Sequence, residues 1–213
     1  MNYTNTVIFI FEIIGTIAFA SSGALVGIRK NMDLLGVNVL GITTAVGGGL
    51  LRDLILGIHP PKMFQNYAYV AFAILTSCIL FLIVYANKRF ISSQFIEQYE
   101  RAMTLFDAVG LGVFTVIGIN TAIELSFEHN TFLLLFVGVI TGIGGGVLRD
   151  IMAGTTPFVF VKQIYASASI LGAVAYVILL NYIDDLPAMF ISALIVFTTR
   201  MLAAYFKWNL PRI

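Results

Sequence analysis

Long apolar runs occupy most of this sequence and constrain its fold more than any other feature. Seven runs are bounded by charged and turn-forming residues, at about 5–28, 34–57, 66–86, 104–124, 131–153, 162–181 and 186–206. A helix needs roughly 20 apolar residues to cross a bilayer, so each run is long enough for one crossing. The sequence therefore predicts an all-α membrane protein with seven transmembrane helices.

The composition narrows the class of protein further. Charged residues make up only 11% of the chain and hydrophobic residues 59%, whereas a soluble domain carries about 25% charged residues. The apolar runs are continuous rather than alternating at every second residue, which argues against a transmembrane β-barrel. The net charge of +1 comes with no basic arm, so we expect a lipid bilayer as the environment and no nucleic-acid partner.

Neither the cysteine nor the histidines indicate catalysis or a bound metal. Cys78 is the single cysteine, which excludes an internal disulfide and a thiolate metal site. His59 and His129 are the two histidines, and both lie in predicted loops. The sequence lacks Gly-x-Ser-x-Gly, His-Glu-x-x-His and Gly-x-x-x-x-Gly-Lys-Ser/Thr patterns. We therefore expect no enzyme, no cofactor and no resident metal.

One glycine-rich segment occurs twice in the chain. Residues 47–57 read GGGLLRDLILG and residues 144–154 read GGGVLRDIMAG, with the glycines, the arginine and the aspartate matching at a constant offset of 97. The first spans of the two halves also align, and in this alignment Glu12 is equivalent to Asp107. Each copy holds three spans, and because three is odd the second copy enters the membrane from the opposite side. This predicts a 3+3 inverted repeat followed by one C-terminal helix.

The duplication and the basic residues predict the organisation of the chain. We expect a first three-helix repeat over 1–86, a cytoplasmic linker over 87–103, a second, inverted repeat over 104–183, and the seventh helix with a C-terminal tail over 184–213. Cytoplasmic loops are enriched in Lys and Arg. One face receives Lys62 alone, and the other receives Arg29, Lys30, Lys88, Arg89, Arg101, Lys162, Lys207 and Arg212. We therefore expect a multi-pass protein of the cell (inner) membrane, with the N-terminus outside and the C-terminus in the cytoplasm.

Each motif helix carries a stripe of small residues that ends in an aspartate. The residues of the two stripes are spaced by four and share a helix face, in the series Gly41, Ala45, Gly49, Asp53 and Gly138, Gly142, Gly146, Asp150. Small residues allow a second backbone to approach closely. Three consecutive glycines also weaken a helix, each by about 1 kcal/mol relative to alanine. A kink or local unwinding is therefore expected at each triplet.

The charged residues of the motif leave two interpretations open. A charge at mid-bilayer costs about 2.5–3.5 kcal/mol, so each Arg–Asp pair either holds two helices together or borders a water-filled pathway. We favour the pathway, in which the aspartates attract cations, the arginines position or gate them, and glycine carbonyls and threonine hydroxyls supply oxygen ligands. The candidate pathway residues are Gly47, Gly48, Gly49, Arg52, Asp53, Gly144, Gly145, Gly146, Arg149, Asp150, Thr44 and Thr141. Glu12 and Asp107 are candidate vestibule residues.

Two copies of Gly-Gly-Gly-x-x-Arg-Asp, at 47–53 and 144–150, in a seven-span chain of this length resemble the prokaryotic members of the trimeric intracellular cation (TRIC) channel family. The same sequence family has also been labelled glycine transporter. The resemblance covers essentially the whole chain. It implies a homotrimer with one pore inside each subunit, kinked second and fifth spans at the glycine triplets, and passage of potassium and sodium.

Two functions remain open at this point. The first is a passive channel for monovalent cations, and the alternative is a secondary transporter of a small solute such as glycine. Many transporters also combine inverted repeats with broken helices, so the expected architecture does not separate the two.

Overall fold

The structure, a computed structural model, describes residues 3–86, 93–161 and 164–208. Within these ranges the chain forms nine α-helices and no β-strand. They are α1 (Tyr3–Arg29), α2 (Leu34–Leu56), α3 (Lys62–Gln65), α4 (Ala68–Ala86), α5 (Ser93–Glu124), α6 (Thr131–Met152), α7 (Phe158–Val161), α8 (Ala166–Leu179) and α9 (Asp185–Tyr205). The two helices of four residues, α3 and α7, precede α4 and α8 at equivalent places in the two halves.

Seven of these helices are apolar elements of a membrane domain. In the described ranges six are long and apolar enough to cross a bilayer, namely α1, α2, α4, α6, α9 and the part of α5 from Glu100. Helix α8 has 14 residues and a length of about 21 Å, which is less than the roughly 30 Å of a hydrocarbon core. The run predicted at 162–181 is therefore a shorter helix than expected. The chain is nevertheless an all-α membrane protein with seven apolar helices, as the sequence predicts.

The helices pack as two similar halves. Helix α1 packs against α2 as α5 packs against α6, and the halves meet where α2 contacts α6 and α1 contacts α5. Helix α4 lies over α1 and α2, while α8 lies over α5 and α6. The extra helix, α9, packs on α5 and α8. We call the membrane face at which α1 begins the N-face, and the membrane face at which α9 ends the C-face.

The two motif helices, α2 and α6, begin and end in the same way. The side chains of Asp33 and Asn130 each accept a hydrogen bond from the backbone N–H three residues later, at 2.7 and 3.1 Å. Such caps satisfy amides that have no partner within the helix. At the other ends Gly57 and Gly154 have φ values of 72° and 64°, a left-handed conformation that glycine adopts without strain. Local sequence thus determines where both helices start and stop.

Both motif helices remain α-helical through their glycine triplets. Helix α2 continues through Gly47–Gly49 and α6 through Gly144–Gly146, so neither helix unwinds there and the expected kink stays a prediction. Five of the six glycines are buried and the sixth, Gly49, is partly buried. Tertiary packing supplies most of the stability of helices in proteins, and it offsets the weak propensity of glycine here.

The region predicted as a linker, 87–103, is helical in its described part. Helix α5 begins at Ser93, eleven positions before the start of the predicted apolar run at 104. Its Glu100 pairs with Arg29 at the end of α1, at 3.1 Å, with both side chains half exposed. Four of the residues that predict the orientation, namely Lys88, Arg89, Lys162 and Arg212, lie outside the described residues.

Candidate functional site

The two motif helices cross at the central glycine of each triplet. A Cβ atom on Gly48 would overlap the carbonyl oxygen of Thr141, and one on Gly145 would overlap the carbonyl oxygen of Thr44. The backbones therefore touch, and only a residue without a side chain allows this approach. Each threonine hydroxyl donates to the carbonyl oxygen four residues earlier in its own helix, at 2.6 Å. Both threonines are fully buried in this contact.

The first glycine of each triplet faces a leucine of the other motif helix. A Cβ on Gly47 would lie 2.6 Å from the Leu148 side chain, and one on Gly144 would lie 2.9 Å from the Leu51 side chain. Four of the six glycines singled out by the sequence thus hold α2 against α6. The third glycines, Gly49 and Gly146, lie on the two sides of this crossing, beside the charged residues of their own helices.

The Arg–Asp pairs adopt the same geometry in both halves. Arg52 Nε donates to Asp53 Oδ1 at 2.8 Å, and Arg149 Nε donates to Asp150 Oδ1 at 2.9 Å. The second oxygen of each aspartate accepts the first backbone N–H of a short helix, from Lys62 in α3 at 2.7 Å and from Phe158 in α7 at 2.9 Å. Asp53 is 1% and Asp150 2% exposed. Each aspartate therefore orients its arginine and fixes the short helix that follows.

A cavity lies beside the charged residues of the first half. The Tyr69 hydroxyl of α4 donates to Glu12 Oε2 of α1, and the two side chains border a space of about 40 Å³. One water molecule needs at least about 10–15 Å³ of such space, so the cavity has room for water. Gly49 is among the residues that line the cavity. The polar side chains of the lining are those of Glu12, Thr16, Arg52, Asp53, Lys62 and Tyr69. We call Glu12, Arg52, Asp53 and Tyr69 the N-face cluster.

The matching residues of the second half are packed more tightly. Arg149 Nη1 donates to Asp107 Oδ1 of α5 at 2.5 Å and also to the hydroxyl of Ser22 of α1. The guanidinium lies over the ring of Phe158, 5.1 Å from its centroid. Arg149 and Asp107 are both 0% exposed. We call Asp107, Arg149, Asp150 and Tyr165 the C-face cluster.

The structure therefore brings the predicted charged residues together in two clusters, one on either side of the α2–α6 crossing. Glu12 borders a cavity, as a vestibule residue would, whereas its counterpart Asp107 is sealed in an ion pair. The carboxylates of Asp53 and Asp150 are occupied by protein donors. In the described part of the chain, no group of three or more His, Cys, Asp and Glu side chains is placed to hold a metal ion.

Reasoning from the sequence missed Tyr69 and Tyr165, which belong to these clusters, and Ser22, which contacts Arg149. Tyr69 and Tyr165, which stand at the start of the third long helix of each half, match at an offset of 96. An offset of 96, between the 95 of the first spans and the 97 of the motif, would have paired them, although the shared Gln-x-Tyr-Ala pattern aligns Tyr165 with Tyr67 instead. Ser22 has no such signal, because it lies in α1 and contacts an arginine of the other half. Arg200 of α9 is 2% exposed, and its guanidinium lies 5.2 Å from the centroid of the Tyr165 ring.

Known proteins match this chain along nearly its whole length. The sequence profile of the family described as Glycine transporter matches residues 9–85 and 104–181. A UPF0126 membrane protein of Deinococcus radiodurans is 36% identical over 89% of this chain and 84% of its own length. A solved structure that addresses conductance through TRIC cation channels shares 37% identity, covers 96% of both chains and has a TM-score of 0.80.

A second solved structure supports the same relationship. The TRIC trimeric intracellular cation channel orthologue from Rhodobacter sphaeroides is 31% identical to this chain, with 95% of this chain and 100% of that chain covered and a TM-score of 0.84. Identity above 30% over full-length chains, together with the same helical fold, establishes common family membership. The chain therefore belongs to the prokaryotic TRIC family of membrane proteins, whose sequence profile carries the description glycine transporter.

Proposed function

We propose that this protein is a cation channel in which monovalent cations such as potassium and sodium pass through each subunit. The observation that carries the proposal is the full-length similarity to solved TRIC cation channels, at 37% and 31% identity. The internal geometry supports it, since two polar clusters lie on either side of the α2–α6 crossing and one of them borders a cavity with room for water.

The proposed pathway runs between the two halves and past the third glycine of each triplet. On the N-face, Glu12 would attract cations into the cavity while Arg52, held by Asp53, forms part of its wall. On the C-face, the corresponding positions are Asp107, Arg149 and Asp150. Gly47, Gly48, Gly144, Gly145, Thr44 and Thr141 would set the width of the passage by holding the crossing together. The aspartates of the motif act as positioning residues, because their oxygens already accept protein N–H groups.

The assembly and the orientation are proposed on the basis of the same relationship and of the sequence. We propose a homotrimer, as the Rhodobacter sphaeroides orthologue is described. We also propose insertion in the inner membrane with the N-face outside and the C-face in the cytoplasm, because Lys and Arg concentrate in the loops of the C-face. Chemical crosslinking in detergent and labelling of introduced terminal cysteines with a membrane-impermeant reagent test these two points.

The experiment that tests the function is planar-bilayer recording of the purified protein under a potassium gradient. We expect current steps whose reversal potential follows potassium, and a lower conductance for Glu12→Gln. One charge acting on a cation about 4 Å away contributes about 1 kcal/mol in water, which is about fivefold in local cation concentration. Glu128→Gln is the matched control, because Glu128 is exposed in the loop between α5 and α6 on the same face. Absence of current, or equal conductance in both variants, would contradict the proposal.

A secondary transporter of a small solute such as glycine is the second candidate. The observation that favours it is the difference between the halves, since a cavity on one face and a sealed cluster on the other are what alternating access requires. Uptake of labelled glycine into proteoliposomes distinguishes the two. Saturable uptake that is coupled to an ion gradient, in the absence of current steps, would identify a transporter.

A further inference from the structure

The two clusters contain the same types of residue in different arrangements. In the N-face cluster the tyrosine binds the acid, because the Tyr69 hydroxyl donates to Glu12 Oε2. In the C-face cluster the arginine binds the acid instead, with Arg149 Nη1 2.5 Å from Asp107 Oδ1. Tyr165, the counterpart of Tyr69, has a buried hydroxyl with no hydrogen-bond partner among the described residues. The pseudo-symmetry thus shows two alternative partners for an equivalent acid.

Tyr165 occupies the space that corresponds to the N-face cavity. Gly49 lines that cavity. Among the described residues, a Cβ atom added to Gly49 would contact Arg52 Nη2, at 3.7 Å. A Cβ atom added to the equivalent residue, Gly146, would lie 2.6 Å from the Tyr165 hydroxyl and 3.7 Å from Arg149 Nη2. The two arginines are therefore placed alike, and the tyrosine is what differs. Its side chain fills on the C-face the space that is a cavity on the N-face.

The packed arrangement of the C-face leaves polar atoms unpaired. Tyr165 OH, Asp107 Oδ2 and Arg149 Nη2 are all buried without a hydrogen-bond partner in the described part of the chain. A buried polar group without a partner is unfavourable. A hydrogen bond from Tyr165 to the free oxygen of Asp107, like the one from Tyr69 to Glu12, would satisfy two of these three atoms. The cluster therefore has a second arrangement available, already seen in the other half.

We propose that Tyr165 is a movable plug in the C-face half of the pathway. In the closed arrangement its hydroxyl packs against Gly146 while Arg149 holds Asp107. In the open arrangement the hydroxyl donates to Asp107, as Tyr69 does to Glu12, and water enters the space beside Gly146. The consequence for ion flow rests on the proposed channel function, whereas the movement of the side chain does not.

The variant Gly146→Ala tests the plug directly. Its new Cβ would lie 2.6 Å from the Tyr165 hydroxyl but 3.6 Å from the ring carbon that bears it, so only the hydroxyl is displaced. We expect the open probability of Gly146→Ala in bilayer recordings to rise about fivefold or more. In a Tyr165→Phe background the same substitution is expected to have no effect on open probability. Tyr165→Ala, which removes the plug without a new contact, is expected to raise it as well.

A second measurement does not depend on conductance. Hydroxyl-radical footprinting of the full chain in liposomes, read by mass spectrometry, reports the solvent exposure of Tyr165. We expect stronger labelling of Tyr165 in Gly146→Ala and unchanged labelling of Tyr165 in Gly49→Ala, the matched substitution in the first half. Wild-type labelling in Gly146→Ala, or a rise in open probability that persists without the hydroxyl, would overturn the plug. If the wild-type protein carries no current but Gly146→Ala still exposes Tyr165, the channel proposal fails and the plug stands.

Discussion

Replacing Gly48 by alanine measures how closely the two motif helices must approach. The new methyl group would overlap the carbonyl oxygen of Thr141, with the carbonyl carbon at 3.1 Å and the Gly145 nitrogen at 3.4 Å. These are backbone atoms, which cannot rotate away as a side chain can. Overpacking of this kind costs about 1–3 kcal/mol. Both helices would have to separate to accommodate it.

Gly49→Ala is the matched variant, because it lies next to Gly48 in the same helix and meets only Arg52 Nη2, at 3.7 Å. The gain in helix propensity, about 1 kcal/mol, is the same in both variants and cancels in their difference. We therefore expect Gly48→Ala to be less stable than Gly49→Ala by about 1–3 kcal/mol. This is roughly 2–4 °C in melting temperature for each kcal/mol in a chain of this size. Thermal unfolding in detergent measures it, and equal stability of the two variants would refute the close crossing.

Two further substitutions test the C-face cluster and the start of α2. Arg149→Lys is expected to destabilise the protein by about 1.5–3 kcal/mol for each charged hydrogen bond lost, because one ammonium group cannot reach Asp150, Asp107 and Ser22 together. Arg52→Lys should lower the stability less than Arg149→Lys does. A larger loss of stability for Arg52→Lys in detergent unfolding would contradict the tighter packing of the C-face cluster. Asp33→Ala removes the cap of α2 and is expected to cost about 1 kcal/mol, whereas Asp33→Asn should retain it; equal melting temperatures for the two would show that the cap contributes nothing.

The fold was accessible from the sequence because it depends on local and periodic signals. The apolar runs predict the membrane helices, and an odd number of spans in each copy predicts the inversion. The side chains of Asp33 and Asn130 cap the starts of α2 and α6, and the left-handed glycines Gly57 and Gly154 follow their ends. All four act within one turn of the helix. Three details differ from the expectations: no unwinding occurs at the triplets, α8 is shorter than its apolar run, and the described part of the predicted linker is helical. Propensity alone does not report the packing partner of a glycine.

The site was accessible in part. The doubled motif correctly brought Arg52 and Asp53, and likewise Arg149 and Asp150, to equivalent places. It did not indicate that both aspartates are occupied by short helices that begin eight or nine residues later. Nor did it separate Glu12, which borders a cavity, from Asp107, which is sealed, because the two residues have the same chemistry and the same place in the repeat.

The sequence by itself determines the membrane location, the number of apolar helices, their inverted arrangement and the residue types of both clusters. Each of these depends on composition or on spacing along one helix. The tertiary structure alone decides which partner each acid has, where the backbones touch, and which half contains space for water. Such choices depend on contacts between α1, α2, α5, α6 and the start of α4 and α8, and two halves with matching sequences can settle into different packings of the same side chains.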